Sequence, residues 1–200
     1  MLLDTLFNER AGEEEKKNAA KMAKQRLTPG DYADHLTGNY MYQFAEDLRA
    51  EVEEKKITPD STLSLGLKNM PNEWLLKMCA VHDIEPCRLR PQREKAIMAY
   101  LTEPANLKQV IQELTPDEQE LLFFLLSKEG WALLGSVSRK FGKLEGDRFY
   151  WNEEEPQSTT GRLWSKGLIM VGKTIQNNRQ VKIATIPADL RPLLEKIIKL

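Results

Sequence analysis

Along most of this chain the apolar positions recur every three or four residues, and only near its end do they crowd into short strand-like runs. Tyr40, Phe44, Leu48 and Val52 repeat every four residues through NYMYQFAEDLRAEVEEKK, which predicts an amphipathic helix with an acidic outer face. Turn chemistry brackets it, with TPGD at 28–31 before and ITPD at 57–60 after. From Asn72, which can cap the next helix, Trp74, Leu75, Met78 and Cys79 form a second stripe. Pro91 opens a helix with Ile97, Tyr100 and Leu101 inward. Pro104 opens another with Leu107, Val110, Ile111 and Leu114 inward.

Thr115 begins a new pattern. T-P-D-E is a capping box with proline at the first helical position, and Leu121, Leu122, Phe124 and Leu125 give the helix a broad apolar face that Gly130 ends. A short helix over Leu134–Phe141 stops at Gly142, and the irregular aromatic stretch KLEGDRFYWNEEEP leads to a helix from about Ser158 to Lys166. The strand-like runs LIMVGKTI and QVKIATI flank Asn177-Asn178, residues that tolerate the left-handed turn of a hairpin. ADLRPLLEKIIKL predicts a closing helix. The expected fold is therefore mainly α with a small β-hairpin (α+β). It divides into an N-terminal helical arm (1–60), a helical module (61–114) and a C-terminal module (115–200). Within the arm, EEEKKNAAKMAKQR offers almost no apolar face and reads as a solvated helix, while MLLDTLF is a short apolar knob.

GLIMVGKT, Gly167 to Thr174, matches the phosphate-loop pattern G-x-x-x-x-G-K-[ST] letter for letter. That loop works only after a strand and at the start of a helix, whose N-terminal amides then face phosphate. Here a helical pattern precedes Gly167, a strand-like quartet fills the variable positions, and a hairpin turn follows Lys173. The expectation is no nucleotide site.

The order helix, short helix, connection, helix, hairpin is the winged-helix plan. GRLWSKGLIMVGK followed by KIATIPADLRPLL resembles winged-helix segments in the accessory regions of bacterial XPB-type helicases and in transcription regulators. There a recognition helix runs straight into an L-x-x-x-G-L-[IV] strand. Leu163, Gly167, Leu168 and Ile169 occupy those places, and the likeness spans roughly Thr115–Leu194. It implies a recognition helix over Ser158–Lys166. Thr160, Leu163 and Trp164 would pack on the Leu121–Leu126 helix, leaving Ser158, Arg162, Ser165 and Lys166 as a free face. Upstream, NEWLLKMCAVHDIEPCRLRPQREKAIMAYL is similar to the two-helix SAP and Rho-N-terminal modules, with Leu75, Ile84, Arg88, Arg90 and Ile97 in the corresponding places.

Charge localises any polyanion contact. The net charge is −1, but residues 1–60 carry nine basic against thirteen acidic side chains, whereas Trp131–Lys182 carries nine basic against five acidic. A winged helix on nucleic acid needs cations near phosphates and polar groups near bases. The candidates are Arg139, Lys140, Arg162 and Lys166, with Lys173, Asn178, Arg179 and Lys182 in the wing. Glu153-Glu154-Glu155 opposes them, because it would repel a backbone brought to the same helix end.

Other chemistry is thin. Cys79-x-x-His82-x-x-x-x-Cys87 echoes part of a zinc knuckle but lacks a fourth ligand, and Cys79 falls on an apolar stripe. Two histidines and two cysteines assemble no catalytic pattern, and no cofactor or metal is expected. No apolar run is long enough to span a bilayer, the start carries no secretory signal, and two cysteines make no disulfide framework, so a cytoplasmic location is expected. The leading expectation is a non-enzymatic nucleic-acid-associated or transcription-regulatory protein with DNA or RNA as partner. The rival is an adaptor or assembly subunit that binds a protein, or a second copy of itself, through the winged helix and Met1–Phe7. A nucleotide-binding enzyme is the remote third.

Overall fold

The structure, a computed structural model, describes residues 29–85 and 87–198, with side chains from residue 41 onward. The readings for Met1–Phe7 and for the solvated stretch up to Leu27 lie outside the described residues. The chain divides into two units, Met1–Phe44 and Ala45–Leu200. In order, its elements are α1 (Pro29–Glu53), α2 (Leu63–Asn69), α3 (Asn72–Val81), α4 (Arg90–Thr102), α5 (Pro104–Gln112), α6 (Pro116–Leu126), β1 (Trp131–Leu133), α7 (Leu134–Phe141), α8 (Thr159–Ser165), β2 (Met170–Gln176), β3 (Arg179–Thr185) and α9 (Arg191–Ile198). The described residues are mainly α with one three-stranded antiparallel sheet of order β1-β3-β2, the α+β class expected.

Several local expectations change. Pro29, Gly30 and Asp31, expected in a turn, already lie in α1, which begins at Pro29, where a missing N–H costs nothing. The inner face of its later part is Ala45, Arg49, Val52 and Glu53, while Phe44 is 46% exposed. A charged pair fills that face, Arg49 meeting Glu46 at 2.8 Å and also Glu53. Helix α2, LSLGLKN, was not foreseen; seven residues are too few to display a period, yet Leu63 and Leu67 are fully in the core. Asn72 does not cap α3. Pro71 holds that position, and the Asn72 carboxamide oxygen accepts from Arg93. Strand β1 was likewise too short to see.

Within Ala45–Leu200 one hydrophobic cluster runs from Val52 through Trp74, Leu101 and Leu121 to Leu194, so residues on either side of position 114 share a core. Its centre is aromatic. Trp74 of α3 stacks on Trp151 with ring centroids 3.5 Å apart and meets Trp164 of α8 edge-on at 4.9 Å. Their indole N–H groups are satisfied at little cost, Trp74 donating to Phe149 O at 2.6 Å and Trp151 to Asp147 O at 2.9 Å. The aromatic connection between α7 and α8 is thereby folded inward.

Two glycines shape the hairpin's approach. Gly167 ends α8 at φ +75°, the left-handed geometry that glycine takes most easily, and its N–H returns to Trp164 O at 3.0 Å. Gly172 lets another backbone come close, since a Cβ there would lie 2.5 Å from Lys55 O. That neighbour is the extended segment after α1. Ile57 N–H donates to Lys173 O and Lys173 N–H to Lys55 O, both at 2.9 Å, which adds a parallel rung to the outer edge of β2. At the tip, Asn177 and Asn178 have φ of 50° and 59°, the pair of left-handed residues a two-residue hairpin turn of right-handed twist requires.

Candidate functional site

Helix α8 is short and nearly surrounded. Thr159, Thr160, Gly161, Leu163, Trp164 and Ser165 are all buried. Ser158 caps it by accepting Gly161 N–H at 2.8 Å. Asp147 in turn holds Ser158, its carboxylate accepting from the Gln157 and Ser158 N–H groups at 2.9 and 2.8 Å. Burial raises the Asp147 pKa above the ordinary carboxylate value, and those donors hold it back. The expectation that Ser158, Arg162, Ser165 and Lys166 form a free face is corrected. Ser165 is buried, and Arg162 and Lys166 turn onto α6.

Their partner is Glu118, the third residue of α6 and the acid of its capping box, which is completely buried. One carboxylate oxygen accepts Thr115 N–H at 2.8 Å. The other meets Lys166 Nζ at 2.5 Å and lies 3.3 Å from Arg162 Nε. Burial pushes the Glu118 pKa up, but Lys166 and the Thr115 N–H outweigh it, so the group sits below its ordinary value and stays charged. The cap is legible in the local sequence and the second task of Glu118 is not, because nothing local joins residue 118 to residues 162 and 166.

The wing cations are also engaged. Lys173 on β2 pairs with Glu54, and Lys182 on β3 reaches Glu53 at 2.8 Å and Glu54 at 3.1 Å. Lys173, then Lys182, hold the Glu54 carboxyl below its ordinary pKa. Lys140 pairs with Glu120 at 2.9 Å and stands over the Phe124 and Phe141 rings. Arg139 is exposed and leans back on its own helix, donating to Gly135 O at 3.2 Å. Asn178 and Arg179 are exposed at the tip, and among the described residues no carboxylate lies within ion-pair range of Arg179. Arg162 and Lys166 converge on one acid, and Lys173 and Lys182 on a pair of neighbouring acids. Lys182 also shares the lining of a pocket with Arg139.

The remaining motifs resolve individually. Lys173 lies mid-strand in β2 and opens no helix. Cys79 is buried, His82 Nε2–H donates to Lys166 O at 2.9 Å, and among the described residues no three metal-ligating side chains gather. Burial lowers the His82 pKa. Arg90 is not a free cation, for it donates to the carbonyls of Leu67, Lys68 and Met70 at the end of α2. No described helix is long and apolar enough to cross a membrane.

Comparison with family models, with curated proteins and with solved structures found no match.

Proposed function

We propose that residues 115–200 form a winged-helix module and that the chain is a non-enzymatic interaction protein whose hairpin docks on another protein. The winged-helix reading is supported by the sequence α6, β1, α7, α8, β2, β3 and by the strand order β1-β3-β2. The docking reading rests on one observation. The helix that would enter a DNA groove is enclosed by its own chain, with Arg162 and Lys166 both turned onto the buried Glu118. A helix that reads bases needs an open polar face. The hairpin, by contrast, projects an exposed run from Ile175 to Gln180.

A second reading keeps nucleic acid as the partner through the wing tip, favoured by the exposed Asn178 and by an Arg179 that no carboxylate among the described residues engages. Titration of the full chain with generic duplex and single-stranded DNA at two salt concentrations separates the two. The docking reading expects no affinity that steepens as salt falls. Salt-dependent binding abolished by Arg179→Glu would replace it with the second reading.

A further inference from the structure

Among the described residues the outer edge of β2 is half covered. Segment Lys55–Ile57 uses the N–H and C=O of Lys173 and then leaves, because Thr58 to Ser61 folds into a turn closed by Ser61 N–H on Thr58 O at 3.1 Å. Backbone groups on a strand alternate in direction, and Lys173 points away from β3. Ile175, two residues on, therefore presents its own N–H and C=O to the same open edge. Its side chain is 71% exposed, the highest among the large apolar residues described. Between it and the buried Ile57 lies a pocket of about 440 Å³, rimmed by Thr58, Thr174, Lys56 and Gln180.

The rim also carries charge information. Glu54, its acid, is engaged by Lys173 and Lys182. Lys56 has no carboxylate within ion-pair range among the described residues, and neither does Arg179 nearby on the hairpin. Among the described residues, an incoming segment thus meets an unpaired backbone rung, one apolar socket and positive charge with no carboxylate beside it.

The geometry points to this edge as the docking site for an extended acidic peptide segment of a partner protein. The segment adds to β2 beside Ile175, seats a β-branched or leucine side chain between Ile57 and Ile175, and sets a carboxylate against Lys56. Strand addition of this kind draws affinity from main-chain bonds and specificity from alternate side chains. The inference rests on the docking reading above and names the chemistry of its partner.

A displayed random heptapeptide library selected on the full chain tests it, with enriched peptides then synthesised and titrated into the wild type, Ile175→Lys, Ile175→Pro and Lys56→Glu. Proline at 175 removes the outward N–H together with the isoleucine side chain and takes no donor from the β2–β3 ladder. The expected peptides pair an acidic residue with an aliphatic one. They bind at least tenfold more weakly to both Ile175 variants and several-fold more weakly to Lys56→Glu, and they slow amide exchange at Ile175. Unchanged thermal midpoints in the variants exclude misfolding as the cause. Equal binding to all four proteins, or no enrichment, overturns the inference while leaving docking elsewhere on the hairpin intact. Loss of a concentration-dependent dimer in Ile175→Lys makes the occupant a second copy and also overturns it. Salt-dependent DNA binding without peptide binding removes both this inference and the reading beneath it.

Discussion

Six of the seven residues in α8 are buried, whereas the hairpin that follows it ends in six consecutive exposed positions, Ile175 to Gln180. Both segments look amphipathic or mixed in sequence, and both carry basic residues assigned to one surface. Their surroundings separate them. Helix α8 is built from small residues, Thr159, Thr160, Gly161 and Ser165, which let α3, α6 and the folded-in connection approach from several sides. Among the described residues the hairpin tip has no neighbour that buries Ile175. Polar character on a short helix therefore reports small size and local capping as readily as it reports solvent, whereas an isoleucine beside a left-handed turn is left outside by geometry.

The sharpest test of an enclosed α8 is its aromatic wall. Trp74→Ala removes the ring that touches both Trp151 and Trp164 and is expected to cost about 3–5 kcal/mol, measured by urea unfolding. A loss under about 1 kcal/mol would place the wall at the periphery. Next is Glu118→Gln, which leaves Lys166 and Arg162 against a neutral side chain and weakens the capping box, at an expected cost of about 3 kcal/mol by the same measurement. If stability holds and affinity for DNA rises instead, the two cations belong to the surface.

Gly172→Ala examines the other region, where the hairpin is tied down. Its methyl would press on Lys55 O, so a loss of about 1–3 kcal/mol is expected, with faster amide exchange at Lys173 and Ile57. The pH response is smaller. His82 is neutral when folded, and burial holds its pKa below the ordinary value of 6.5. Its contribution is fully present above that value and is lost as pH falls from it toward the depressed folded value. His82→Gln should flatten that part of the stability profile, measured by denaturation between pH 7 and 5. Smallest is Arg179→Glu at the tip, expected to shift stability by less than about 0.5 kcal/mol. A larger shift would mean that the tip has an intramolecular partner.

The helices most legible in the sequence are those with a clear period and a chemical stop. Helix α6 showed its capping box and Gly130, and α5 its proline start and the inward residues Leu107, Val110 and Ile111. The hairpin was legible because Asn177-Asn178 supplies a turn that few other residue pairs tolerate. What escaped was short or paired at a distance. Helix α2 and strand β1 have too few residues to establish a period, and the buried stripe of α1 moved because Arg49 enters the interior with its own acids. Of the candidate surface, Asn178 and Arg179 stand exposed at the tip, while Arg162, Lys166, Lys173 and Lys182 meet Glu118, Glu53 and Glu54 from remote parts of the chain.

The α6 capping box and the turn at 177–178 follow from forces acting over a few residues, so the order of amino acids alone establishes them. Which cations remain open to a partner depends on carboxylates tens of residues away, for instance Lys182 on Glu53. Such pairing exists only after burial has brought the elements together, because ion pairs form across space and leave no local pattern. Folding also decided that no described residue covers the edge beside Ile175, since that depends on where Lys55–Ile57 turns away.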